Sequence, residues 1–146
     1  MKKLILFDTS ILIAGFVVSH SKHLQAHTWL KRAKAGEFSW VVSAHSVAEC
    51  YAVLTRLPLS PKISPAIAKL LIEKNIESSA TIISLSSSDY IALVKDMVSL
   101  GLTGGIMYDA VIYKSARKSK ATHLLTLNPQ DFHRFLLEKT DFIITP

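Results

Sequence analysis

The chain has 146 residues, of which 49% are apolar and 19% charged, and its formal net charge is +6. Its longest strictly apolar run, residues 11–18, is too short to span a membrane, and its single cysteine, Cys50, excludes a framework of internal disulfides. We therefore expect one domain over residues 1–146 with a sizeable core, located in the cytoplasm. The positive net charge is compatible with an anionic partner, such as RNA or an acidic peptide, but does not distinguish between them.

Strand-like and helix-like segments alternate along the chain. Short apolar blocks typical of buried strands lie at 3–7, 38–43, 80–85 and 122–127, with a fifth candidate at 141–145. Helical patterns cover 20–35, 44–57, 64–77, 87–100, 105–119 and 129–138. This alternation predicts an α/β fold in which helices cover both faces of a mainly parallel sheet of four to five strands.

Several polar residues lie near the carboxyl ends of the predicted strands. Open parallel sheets bind ligands at that edge, so these residues are the candidates for a functional site. In chain order they are Asp8, Glu49, Asp109, Thr126, Asn128 and Asp131.

Asp8 and Glu49 each have an ordinary structural interpretation. Asp8 interrupts an apolar segment, where a carboxylate turns to solvent, caps a helix or has a cation as partner. Glu49 follows Ser46 by three residues, which fits a capping box, and it also fits an exposed helix flank. Taken singly, capping explains both residues well.

Asp109 is harder to explain as a structural residue. On a helix it shares the apolar face with Ile106, Ile112 and Ala116, and carboxylates on such faces are unusual without a paired charge or a metal ion. In "NPQD", by contrast, Asn128 and Asp131 match the N-cap and third position of a helix start.

Together, Asp8, Glu49 and Asp109 form a set that helix capping does not predict. Clustered carboxylates repel one another, and Mg²⁺ or Mn²⁺ relieves this repulsion because these ions prefer carboxylate oxygens and retained waters. A bound ion of this kind can activate water and hold a phosphate oxygen. The set therefore predicts a metal site suited to phosphodiester hydrolysis.

Four blocks of the chain resemble the PIN-domain nucleases, specifically the VapC-like toxin ribonucleases. They are "LFDTSILIAGF", "VSAHSVAECYAVLTRLP", "LTGGIMYDAVI" and "LLTLNPQDF", in the family's order and spacing. The resemblance implies an α/β/α sandwich and Mg²⁺- or Mn²⁺-dependent endonucleolytic cleavage of RNA. It further implies a homodimer and a cognate antitoxin with a segment that obstructs the acidic site.

The resemblance also implies roles for individual residues. Asp8, Glu49 and Asp109 match the family's three acids, with Asp8 and Asp109 as metal ligands and Glu49 as a ligand or water-orienting base. Supporting hydroxyls would come from Thr9, Ser10 and Thr126. Many members have aspartate where this chain has Asn128, which offers an oxygen without a charge, and Asp131 is a candidate for supplying that charge through water.

A basic helix end accompanies Asp109 on its predicted helix. Lys114, Arg117 and Lys118 are candidates for contacting an RNA backbone, and they also fit a solvated helix C-terminus, where cations suit the helix dipole. His20, His23 and His27 lack the glutamate of a zinc-binding H-E-x-x-H motif and are interpreted as ordinary histidines.

Two rival functions stay open at this stage. One is a catalytically weak or inactive PIN-like module that binds RNA or protein, an alternative motivated by Asn128. The other is a phosphatase or phosphotransferase with Asp8 as nucleophile, although Ser10 stands where the second aspartate of the common D-x-D arrangement would be.

Overall fold

The computed structural model describes residues 2–135 and 141–146, and its strands form one parallel sheet. The strands are β1 (Leu4–Phe7), β2 (Ser39–Ser43), β3 (Thr81–Ile83), β4 (His123–Leu125) and β5 (Ile143–Ile144). Their order is β3-β2-β1-β4-β5, and every neighbouring pair is parallel. The predicted α/β class is confirmed, and all five strand-like blocks contain a strand.

The helices match the predicted segments except near the two chain ends. They are α1 (Thr9–Phe16), α2 (His23–Lys34), α3 (Ala44–Arg56), α4 (Pro65–Ile72), α5 (Ser87–Leu100), α6 (Ile106–Lys118) and α7 (Pro129–Phe132). A π-helical turn, Glu73–Glu77, extends α4, and a 3-10 turn, His133–Phe135, extends α7. The rest of the segment predicted as helix over 129–138 lies outside the described residues. Among the residues described, no helix is both long and apolar enough to cross a bilayer.

Alternating side chains along β1 and β2 build a separate core on each face of the sheet. Ile5, Phe7 and Trp40 belong to the core shared with α1 to α4. Leu6 and Val41 belong to the core on the other face, with residues of α6 and α7. This alternation is the period of two expected for strands covered on both sides, and it produces the three layers of the sandwich.

Helix α1 was not predicted from the sequence. Its residues are apolar almost throughout, and six of the eight are buried, so no 3.6-residue periodicity distinguishes them from a buried strand. Gly15 in this helix lies against α2, and a Cβ atom added there would collide with Cδ1 of Leu30. The two helices therefore pack closely because Gly15 has no side chain.

The predicted capping box at Ser46 and Glu49 is wrong. The N-cap of α3 is Ser43, whose hydroxyl accepts a hydrogen bond from the His45 N–H at 3.3 Å. Ser46 lies fully buried inside the helix, where its hydroxyl accepts one from Thr9 Oγ1 at 2.8 Å. Glu49 therefore has no role in capping the N-terminus of α3.

We predict that Gly15→Ala lowers the free energy of unfolding by about 1–3 kcal/mol, because the added methyl group overpacks the contact with Leu30. Urea denaturation of the wild type, Gly15→Ala, Leu30→Ala and the double variant measures the coupling between the two positions. The cost of Gly15→Ala should shrink when Leu30 is already alanine. Strictly additive costs would contradict this account of the contact.

Candidate active site

The candidate site lies where the chain changes direction across the sheet. Strands β1 and β4 are neighbours, but the chain leaves β1 toward β2 and leaves β4 toward β5. Crevices for ligands open at such switch points, outside the carboxyl ends of the strands. Asp8 directly follows β1 and Thr126 directly follows β4, so both residues lie at this crevice.

The Asp8 carboxylate is held by three hydrogen bonds. Its Oδ1 accepts from the Thr9 N–H at 2.8 Å, and its Oδ2 accepts from Ser10 Oγ at 2.8 Å and from Thr126 Oγ1 at 2.7 Å. Ser10 Oγ also accepts from the Leu127 N–H at 3.1 Å. These contacts fix the orientation of the carboxylate and link the ends of β1 and β4.

Thr9 contributes to the site differently from the other hydroxyls. Its side chain donates to Ser46 and does not contact Asp8. This buried bond ties α1 to α3, the helix that carries Glu49. Thr9 therefore fixes the relative position of two elements of the site.

Asp8 is also the N-cap of α1, so capping and a buried acidic role coexist in one residue. Burial raises the pKa of Asp8 above its usual range; the three hydrogen bonds oppose this shift, and the nearby charge of Glu49 adds to it. Within residues 2–135 and 141–146, neither Asp8 nor Asp109 forms an ion pair with a basic side chain. Both carboxylates thus lie at the site without a direct ion pair from the part of the chain that the structure describes.

Asp109 lies in the first turn of α6 and is partly buried. Burial, followed by the charges of Asp8, Asp131 and Glu49, raises the pKa of Asp109 to about 6, and the nearby charge of Arg134 opposes this shift. Asp131 lies on α7, which packs against α6, and it does not line the cleft that Asp109 lines.

Asp8, Glu49, Asp109 and Asn128 line one cleft of about 490 Å³. Glu49 projects from α3, where its Oε2 lies 3.3 Å from His45 Nε2. The sequence places Asn128 at the N-cap of α7, but its side chain makes no capping hydrogen bond, and its N–H donates to Thr126 Oγ1 at 3.0 Å. The amide of Asn128 is therefore available to a ligand.

The arrangement of the acids suits a hard cation that keeps water ligands better than a cation whose ligands all come from the protein. In the part of the chain that the structure describes, no three His, Cys, Asp or Glu side chains are close enough together to hold one metal ion. Mg²⁺ is commonly bound by one or two carboxylates, with waters and substrate phosphate completing the shell. A partly open pair such as Asp8 and Asp109 fits that mode of binding.

The predicted basic residues divide into two groups. Lys114 and Arg117 line a groove of about 440 Å³ between α5 and α6, together with Arg134. Lys118 is outside this groove, and its Nζ is engaged by Asp89 at 2.7 Å and by the Ser84 carbonyl at 3.2 Å. The groove also includes Ala110, the residue that follows Asp109 on α6.

No sequence pattern predicts that Arg134, His20 and Lys22 lie near the acids, and His20 is interpreted from the sequence as an ordinary histidine. Arg134 lies in the 3-10 turn after α7, and His20 and Lys22 lie in the connection between α1 and α2, yet His20 and Lys22 line the acidic cleft. No spacing rule links positions in such a connection to a strand end, and the sequence pattern predicts a helix over 20–35, whereas α2 begins at His23. The position of His20 and Lys22 near the acids depends on the path of the connection between α1 and α2.

Known proteins are similar to this chain in sequence and in fold. The profile of the PIN domain family matches residues 5–135. Ribonuclease VapC40 of Mycobacterium tuberculosis is 33% identical over 119 residues, which covers 82% of this chain and 82% of that protein.

Two solved structures extend the likeness in fold. The crystal structure of VapC20 of M. tuberculosis, a toxin that cleaves the sarcin-ricin loop, has a TM-score of 0.70 at 15% identity and covers 92% of this chain and 98% of its own. VapBC2 of Rickettsia felis, bound to a promoter DNA fragment, has a TM-score of 0.67 at 18% identity and covers 98% of both chains. With the profile match over most of its length, the chain belongs to the PIN domain family and, within it, to the VapC ribonucleases.

Proposed function

We propose that this VapC ribonuclease is an endonuclease that hydrolyses RNA phosphodiester bonds with Mg²⁺ or Mn²⁺ at the cleft of Asp8, Glu49 and Asp109. One observation carries the proposal: three acids share a cleft at the switch point of the sheet, and Asp8 and Asp109 have no basic partner among the described residues. A divalent cation supplies the missing positive charge.

Each residue of the cleft has a distinct role in the proposed reaction. Asp8 and Asp109 would hold the ion, Asn128 would offer a neutral oxygen, and Asp131 would add charge through water. When bound, such an ion supplies charge stabilisation at a phosphate oxygen and an acidified water. Glu49 would orient the attacking water or act as a ligand, and Ser10 and Thr126 keep Asp8 in place through their hydrogen bonds.

We also propose that the protein is the toxin of a toxin–antitoxin pair, acting in the cytoplasm, and that its cognate antitoxin inhibits it by obstructing the acidic cleft. The likeness to VapBC2 of Rickettsia felis supports a partner of this kind. An open groove of about 680 Å³ between α3 and α4 could hold such a segment; Val47, Tyr51 and Ile72 line it, together with charged residues of α4 and the π-helical turn. It begins on the helix that carries Glu49.

A homodimer is the proposed assembly. Ile91, Val94 and Val98 lie on one stripe of α5, and each is more than half exposed. Exposed apolar stripes of this kind mark protein interfaces. A second copy of the chain is the partner that we propose for this stripe.

The second candidate function is an RNA- or protein-binding module without cleavage. Two observations favour it: Asn128 is neutral, and no three potential ligands within the described residues stand close enough to hold a metal ion. Calorimetric titration with Mn²⁺ separates the two functions, because only the nuclease requires the ion at the acids. Saturable binding by the wild type that Asp8→Asn abolishes supports the nuclease.

We predict that Asp8→Asn and Asp109→Asn each lower the rate of RNA cleavage at least about 100-fold in Mg²⁺ or Mn²⁺, because each removes a charge that would hold the ion. Cleavage of a structured RNA, followed by gel electrophoresis, measures the rate. Glu37→Gln is the matched control, since Glu37 is exposed and precedes β2 at the opposite edge of the sheet. Wild-type activity in both aspartate variants would refute the proposed site.

We predict that Asp109→Asn stabilises the metal-free protein at neutral pH by about 1 kcal/mol after allowance for solvent screening. The pKa of Asp109 rises from 3.8 to about 6 on folding, so between these pH values the folded chain binds more protons than the unfolded chain. The contribution of Asp109 to the free energy of unfolding therefore falls as the pH rises through this range. Thermal melts at about pH 5 and pH 8 should show a smaller gain for the variant at the lower pH.

Asp89→Asn is the control of opposite sign for the stability measurement. Hydrogen bonds from Lys118 and from Ser86 lower the pKa of Asp89 to about 2, so its contribution to stability is present at neutral pH and lost as pH falls. The Asp89 variant should be less stable than the wild type at neutral pH. Equal destabilisation by both variants would contradict the electrostatic account of Asp109.

We predict that Val94→Glu converts a dimer into a monomer of 16.1 kDa, because it places a charge on the exposed stripe of α5. Light scattering after gel filtration measures the mass. Ile67→Glu, at an exposed apolar position of α4, is the control and should leave the dimer intact. A wild-type monomer, or a dimer in the Val94 variant, would exclude this interface.

A further inference from the structure

The acidic cleft has a basic wall that the metal chemistry does not use. His20 and Lys22, in the connection between α1 and α2, line the cleft that Asp8, Glu49 and Asp109 also line. Within the described residues, neither basic side chain is close enough to any of these acids to form an ion pair. Opposite charges therefore face one cleft with space between them.

The connection that carries this wall is fixed by its own hydrogen bonds. The His20 N–H donates to the Val17 carbonyl at 3.0 Å, and the His23 N–H donates to the His20 carbonyl at 3.0 Å. His23 Nδ1 lies 2.9 Å from the Ala14 carbonyl, which fastens the start of α2 to α1. The backbone that carries His20 and Lys22 is thus fixed before any ligand binds.

One of these bonds determines what the His20 ring offers to the cleft. Its Nδ1 accepts a hydrogen bond from the Lys22 N–H at 3.0 Å. An imidazole whose Nδ1 accepts a hydrogen bond carries its proton at Nε2, so His20 offers a donor at that atom. With the Lys22 ammonium group, the wall presents two donors and a positive charge.

We propose that His20 and Lys22 bind a phosphodiester group of the RNA substrate across the cleft from the acids and position the backbone for cleavage. The proposal rests on the proposed function and assigns these residues to substrate binding. A phosphate has the charge that Lys22 requires and the acceptor oxygens that both side chains require. Its other oxygens remain directed toward the acidic side, where a cation would meet them.

Binding measurements test the role of Lys22 separately from cleavage. In an Asp8→Asn background, fluorescence anisotropy gives the affinity for a labelled single-stranded RNA at several salt concentrations. We expect Lys22→Ala to weaken binding about five-fold and to reduce the slope of log K against log salt by about 0.7, the value for one lost phosphate contact. Lys22→Arg should retain the slope.

The matched control is Lys31→Ala, which removes a charge from an exposed position of α2 that does not line the cleft. If Lys22→Ala and Lys31→Ala change affinity and slope equally, Lys22 makes no specific phosphate contact and the proposal is overturned. If the Asp8→Asn protein does not bind RNA and the wild type does not cleave it, the proposed function itself fails.

Two substitutions separate the donor of His20 from its structural role. His20→Asn can still accept from the Lys22 N–H but lacks a donor at the distal position, whereas the amide nitrogen of His20→Gln can occupy the place of Nε2. We expect His20→Asn to raise KM several-fold with little change in kcat, and His20→Gln to recover most of the loss. Equal thermal midpoints show that both variants fold, and a wild-type KM in His20→Asn would overturn the role of His20.

Discussion

The site depends on the burial of one carboxylate, that of Asp8, at the carboxyl ends of two neighbouring strands. Taking a carboxylate out of water costs several kcal/mol unless donors or a cation compensate. The Thr9 N–H and the hydroxyls of Ser10 and Thr126 compensate in part, and they come from the ends of both β1 and β4. The same hydrogen bonds therefore stabilise the charge of Asp8, connect the ends of β1 and β4, and fix the orientation of the carboxylate.

Acidic and basic residues lie close together around this carboxylate. Asp8, Glu49 and Asp109 line one cleft with His20 and Lys22, and Lys114, Arg117 and Arg134 line a separate groove that includes Ala110, the neighbour of Asp109 in sequence. A polyanion such as RNA is attracted by these basic residues and is repelled by the acids unless a cation is bound to them. The net charge of +6 is thus less informative than its distribution.

Sequence patterns predicted those parts of the molecule that depend on local chemistry. Strands buried on both faces have short apolar blocks, and Asp109 stood out because it lies on an apolar helix face. Helix α1 was missed because burial all round removes the periodicity. Ser43 rather than Ser46 caps α3 because the helix begins directly after β2, and Ser46 instead accepts a hydrogen bond from Thr9, a residue 37 positions away in sequence. The basic wall was missed for the same reason, since long-range packing alone brings it to the acids.

The spacing of the charges has a consequence for how the two ligands bind under the proposed function. No three ligands among the described residues are assembled for an ion in advance, so a bound ion needs oxygens from water or from substrate to complete its shell. A phosphate held by Lys22 would bring such oxygens to the acidic side. Each ligand would then raise the affinity for the other by the same factor, because such coupling is reciprocal. The neutral Asn128 suits this arrangement, since a carboxylate at that position, inside the cleft, would repel the phosphate more strongly than Asp131, which does not line the cleft.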